Sequence, residues 1–191
     1  MPVTRRHFLF GLAGLAAVAA MGLEPGFAAT GPEAYVNQVG NSVIAAANSG
    51  SVQQFRSILR QNADISAIAL FSLGQYRKNL PAAKRQEYYR LVEQSISNVF
   101  ASHANRLKGT RLAVSGSREA SGSVLVTSQL QQPSGRSVPV VWRILKRGGG
   151  YKIFDVNVDG VWLANTQRTN FTAVLQRNNG NIDALLNHLR R

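Results

Sequence analysis

The 191-residue chain contains no cysteine. That excludes disulfides, thiolate metal sites, thiol catalysis and a lipid-modified cysteine anchor. Acidic residues are also scarce: 9 Asp and Glu stand against 22 Lys and Arg. Carboxylate-built metal sites are therefore poorly supplied. The chain has three histidines, His7, His103 and His188, and neither of the last two has a neighbour at metal-ligand spacing. No Gly-x-Ser-x-Gly elbow is present, and Gly148-Gly149-Gly150 is followed by strand-like sequence rather than the helix a phosphate loop needs. Asp155 and Asp159 are spaced for an acid–base pair, but Asp155 fits better as a partner of a nearby Arg or of backbone N–H groups. An enzyme acting on lipids or cell-wall polymers would need a nucleophile or a carboxylate pair, and beyond Asp155 and Asp159 the sequence offers no candidate.

What is present begins with an export segment. Thr4, Arg5 and Arg6 form a basic head, Phe8 to Leu23 an apolar run diluted by Gly11, Gly14 and Gly22, and Gly26-Phe27-Ala28 a small-residue cleavage site. The apolar run, about 16 residues, is shorter than the ~20 that span a bilayer. Residues 1–28 are expected to be a cleavable signal peptide, with 29–191 as one exported domain. Thr4-Arg5-Arg6-His7-Phe8-Leu9 is similar to a twin-arginine signal, although Phe10 stands where Lys is common. Removing residues 1–28 takes away two Arg and one Glu and leaves a net charge of +12. Outside the cytoplasm such charge matches anionic head groups or acidic docking partners better than nucleic acid, or it is simply a solvated basic surface.

The domain reads as α+β, helices first and strands after, with no internal repeat. Pro32, Ser51, Asp64 and Pro81 open four helices, the last running to about residue 107. Strands are expected over 110–115, 123–131, 137–146 and 151–158 as an antiparallel meander. Helices over about 162–178 and 181–190 close the chain. In the third strand Val138, Val140, Trp142 and Ile144 alternate with Val141, Arg143 and Leu145. Both sheet faces are therefore apolar, so either the helices pack on both or a ligand covers one.

Residues 154–171, FDVNVDGVWLANTQRTNF, resemble the MlaC family of periplasmic phospholipid-binding proteins, also called the toluene-tolerance auxiliary family. The matching positions are Phe154, Asp155, Val156, Gly160, Val161, Leu163, Arg168 and Phe171. The Gly180–Leu186 tail and the Ile68–Arg77 segment are similar to two further stretches of that family, with an extra Asn181, and Trp162 stands where Ser is common. The resemblance spans roughly residues 33–190. It implies a cystatin- or nuclear-transport-factor-like α+β fold, with a helical N-terminal half wrapped around a curved four-stranded sheet and a deep apolar cavity. It also implies a non-enzymatic, cofactor-free, monomeric periplasmic carrier. Such a carrier shuttles phospholipid between an outer-membrane lipoprotein complex and an inner-membrane ABC transporter with a lipid-transfer ring. A related branch is associated with hopanoid-type lipids, which leaves that ligand as the alternative.

Expected pocket residues are Leu70, Leu73, Tyr76, Val99, Val126, Val140, Trp142, Phe154, Val156, Val161 and Phe171, each with ordinary core as its alternative. Arg168 is expected either at the mouth or paired with Asp155. Lys146, Arg147 and Lys152 flank the turn between the third and fourth strands, as a partner surface or as a solvated turn.

Overall fold

A computed structural model describes residues 31–191, so the expected export segment at 1–28 lies outside the described residues. Helix α1 (Pro32–Ser49) starts with Pro at its first turn and stops at Gly50. Gly50 adopts a left-handed φ of 66°, and its N–H reaches back to the carbonyls of Ala46 and Ala47. Ser51 caps α2 (Val52–Asn62) by accepting from Gln54 N–H at 3.1 Å, and Asp64 caps α3 (Ile65–Ser72) by accepting from Ala67 N–H at 3.0 Å.

The expected 81–107 helix is divided. A 3-10 turn at Ala82–Lys84 leads into α4 (Arg85–His103), and Ala104–Leu107 tightens into another 3-10 turn. Pro81 holds an extended backbone with ψ 145°, so regular helix cannot begin there.

Five strands follow: β1 (Arg111–Ala120), β2 (Ser123–Gln131), β3 (Ser137–Arg147), β4 (Gly150–Val158) and β5 (Val161–Trp162). They form one antiparallel sheet in the order 1-2-3-4-5. Strand β1 runs five residues beyond the expected 110–115, because its register shifts between Val114 and Gly116 and pairing resumes through the polar Ser117–Ala120 stretch. Polar side chains suit an edge strand, which is why apolar alternation does not reveal it. The extra strand β5 also departs from expectation. Asp159 and Gly160 take φ of 52° and 88°, the pattern of a two-residue hairpin turn, and return Val161 and Trp162 to pair with β4. Helices α5 (Leu163–Arg177) and α6 (Ile182–Leu189) complete the chain.

Two apolar cores form. In the first, α1 lies on one sheet face, packing Val36 and Ile44 against Val124, Val126, Val140, Trp142 and Ile144. Gly40 permits close approach there, since a Cβ at that position would sit 2.3 Å from Leu112 Cδ2. Trp142 Nε1–H donates to Ser128 Oγ at 2.9 Å, and Ser128 donates to Val140 O at 3.1 Å, so the buried polar groups are satisfied. The second core is purely helical: Leu73, Tyr88, Leu91, Val92, Phe171, Leu175, Leu185 and Leu186 from α3–α6 and the α3 end. Helix α2 is pinned to α4 by Phe55 stacked on Phe100 and by Glu93, which Arg56 and Arg60 approach at 3.1 and 2.8 Å.

Truncation within the helical core is expected to be costly. Leu175→Ala should cost about 2–5 kcal/mol in urea denaturation, whereas Leu163→Ala, at a position 49% exposed, should stay within about 0.5 kcal/mol.

Candidate functional site

The sheet's second face is built by period-two alternation. With Val138, Val140, Trp142 and Ile144 facing α1, β3 turns Val141, Arg143, Leu145 and Arg147 the other way. Leu125 of β2 lies opposite Arg143. In β4, Arg143 pairs with Asp155 and Ile144 with Ile153, so Phe154 is the extra residue of a bulge. The bulge sets Phe154 against Phe71 of α3, edge to face at 5.4 Å and 76°.

Between α3 and this face lies a cleft with two lobes of about 460 and 490 Å³ that share Ala67, Arg147 and Phe154. One lobe runs past Arg143 and Leu145 to the β1–β2 turn at Ala120, Ser121 and Ser123. The other passes Asp64, Ser66, Leu70, Phe71 and Arg77. Both lobes open to solvent, and polar and apolar atoms share the lining. Each volume falls within the roughly 300–1,000 Å³ of small-molecule sites.

Helix α5 is fixed to the sheet from a distance. Trp162 stands at its N-cap and offers no side-chain cap, so Asp155 on β4 supplies one: a single carboxylate oxygen accepts from both Ala164 N–H and Val156 N–H at 2.8 Å. Burial pushes the Asp155 carboxyl above its usual range, against the opposing pull of those two N–H groups and the Arg143 charge. Arg168 does not take Asp155 as a partner. Its guanidinium lies over the Phe71 ring at 5.1 Å, and Arg143 lies over Trp162 at 4.4 Å. At the cleft edge Arg147 Nε meets Asp64 Oδ2 at 3.1 Å, tying β3 to the first turn of α3. Burial works to raise the Asp64 pKa, but hydrogen bonds from Ala67 N–H, Ser66 and Arg147, together with the Arg147 charge, hold it below the ordinary value.

Of the expected pocket residues, Leu70 and Phe154 stand together on the cleft. Leu73 and Phe171 are buried in the helical core, with Tyr76 packed at its edge. Val126, Val140, Trp142 and Val156 belong to the core under α1. Val99 and Val161 are on the surface, 56% and 53% exposed. Sequence reasoning did not nominate Ala67, Phe71, Arg77 or Leu145, although the Ile68–Arg77 stretch and the two-faced alternation of β3 both pointed toward this region. Among the described residues no group of His, Asp and Glu is placed to hold a metal ion, and no helix is long and apolar enough to cross a membrane.

Fold and cleft define an α+β protein in which helices pack on both faces of an antiparallel sheet and leave an amphipathic groove under one of them. The chain belongs to the MlaC protein family, which its residues 37–191 match. Among solved structures, a phospholipid-binding protein from Ralstonia solanacearum, in complex with a phospholipid, superposes with a TM-score of 0.71 at 20% identity. The alignment covers 83% of this chain and 94% of that one, and at this identity the likeness speaks to the fold. No curated protein matches the chain.

The Asp64 carboxylate generates a pH prediction. Because its folded-state pKa is depressed, its contribution is full above its unfolded value near 3.9 and is lost as pH falls through the folded value. Asp155, shifted the other way, contributes in the opposite sense. The difference in unfolding free energy between wild type and Asp64→Asn should therefore shrink as pH drops from 6 to below about 3. Chemical denaturation across that range checks it, and Asp64→Ala should lose about 0.5–2 kcal/mol at neutral pH from the missing cap.

Proposed function

We propose that the protein is an exported, periplasmic phospholipid carrier, with residues 1–28 as its cleavable export segment. It shuttles lipid between an outer-membrane lipoprotein complex and an inner-membrane ABC transporter and catalyses no reaction. The observation that carries this reading is the cleft between α3 and the second sheet face, with Leu70, Phe71, Leu145 and Phe154 among its lining. Family membership and the fold shared with a phospholipid-binding protein support it.

A diacyl lipid carries on the order of thirty methylenes, each worth about 0.8 kcal/mol when buried, so crossing water unprotected would cost more than roughly 20 kcal/mol. A carrier must cover the tails, leave the head group near solvent, and release its cargo only while docked. The cleft suits that task. Widening it need only separate Phe71 from Phe154, while the backbone bridge at Ala63, Asp64 and Ile153 holds the start of α3 to the sheet. No covalent step is needed, and no nucleophile–base pair is required of the cleft.

Mass spectrometry of an organic extract of the purified protein tests the reading. Diacyl phospholipid near one molecule per chain is the expected result, and Phe154→Asp and Leu70→Ser should strip it while circular dichroism stays unchanged. Val140→Asp is unsuitable for this purpose, because Val140 is buried beneath α1 and a charge there would damage the fold. A hopanoid-type lipid in the extract would redirect the ligand assignment. An empty protein that also takes up nothing from vesicles would contradict carriage.

A further inference from the structure

The charges around the cleft are not balanced. Arg77, Arg143 and Arg147 line it, and the β1–β2–β3 register sets Arg118 opposite Leu125, which in turn sits opposite Arg143, so Arg118 belongs to the same face. Against these four cations stand two carboxylates. Asp64 is already engaged by Arg147, and Asp155 is buried with one oxygen spent on backbone N–H groups. Among the described residues no carboxylate lies within salt-bridge distance of Arg77, Arg118 or Arg143. The Arg143 guanidinium lies over the Trp162 ring at 4.4 Å, which positions it before any ligand arrives. Serine hydroxyls at positions 121 and 123 lie at the same end of the cleft. A planar, half-buried guanidinium whose nearby carboxylate, Asp155, is buried and makes no salt bridge to it, beside apolar side chains, is suited to a phosphate attached to a greasy tail.

We propose that this cluster makes the carrier selective for lipids of net negative charge, with Arg143 the principal selectivity residue and Arg77 and Arg118 adding to the local field. The proposal rests on the carrier reading and deepens it by naming the class of cargo. A phosphodiester whose head group adds no cation gains charge-assisted hydrogen bonds from Arg143. An ethanolamine head group brings its own ammonium into a field of arginines and loses that advantage.

The test incubates purified, delipidated protein with vesicles containing equal amounts of phosphatidylglycerol and phosphatidylethanolamine, and reads the bound ratio by mass spectrometry. Wild type is expected to favour phosphatidylglycerol by roughly tenfold, the size of a modest repulsion between one ammonium and the arginine field. Arg143→Gln should bring the ratio toward that of the vesicles, and Arg77→Gln, at an exposed position, should lower it by less. Lys108→Gln, which lies before β1 at the end away from the β1–β2 turn, removes the same charge and should leave the ratio at the wild-type value. Added salt should weaken the preference. Equal uptake of both lipids by wild type, or an equal effect of Lys108→Gln and Arg143→Gln, overturns the selectivity while lipid carriage stands. Uptake of neither lipid overturns carriage and this proposal with it. A calorimetric titration with inorganic phosphate alone separates head group from free anion. No saturable heat is expected, and saturable binding abolished by Arg143→Gln would reassign the cluster to a soluble anion and overturn the proposal.

Discussion

Strand β3 places Val138, Val140, Trp142 and Ile144 on one side and Val141, Arg143, Leu145 and Arg147 on the other, and no single layer of helices can cover both. The chain resolves this by dividing its helices. Helix α1 closes one face, while α3 to α6 pack first against one another and only then approach the other face. The two bodies are joined at three places: a backbone bridge from Ala63 and Asp64 to Ile153 beside the Asp64–Arg147 pair, Phe71 on Phe154, and Asp155 holding the start of α5. The cleft is the space between these contacts.

The same contacts explain why the cleft is amphipathic. Arginines meet aromatic rings at two points on its borders, Arg143 over Trp162 and Arg168 over Phe71, which lets cations stand beside apolar surface without full desolvation. A molecule with a charged head and apolar tails matches such a border. On the proposed reading, cargo is held by burial of its tails, which is strong but undirected, and is sorted by charge at the rim, which is weaker and directional. Release then requires a docked partner that offers the tails another apolar surface.

Much of this architecture was legible in the sequence because local chemistry announces it. Pro32, Ser51 and Asp64 mark helix starts, Gly50 marks a stop, and Val138, Val140, Trp142 and Ile144 alternate along β3. The site was harder to read for a physical reason. Alternation tells which residues share a face, not which face is left open, and Val126, Val140 and Trp142 satisfy a pattern for either one. Phe154 reaches the cleft through a bulge, a register event with no composition signature, while Val99 and Val161 are apolar residues that the fold leaves in solvent. The Asp159-Gly160 hairpin did carry a sequence signal, and it is the feature that produces β5 and aims Trp162 toward Arg143.

The central claim is that lipid tails enter by parting α3 from the sheet while each core stays closed. The natural absence of cysteine allows spin labels to be placed cleanly at Ser66 on α3 and Ser121 on the β1–β2 turn, with Ser121 and Ser134 as a control pair on the β1–β2 and β2–β3 turns. Pulsed dipolar spectroscopy before and after loading from vesicles should show the 66–121 distance lengthen and the 121–134 distance hold. Lipid stoichiometrically bound with the 66–121 distance unchanged would contradict the account.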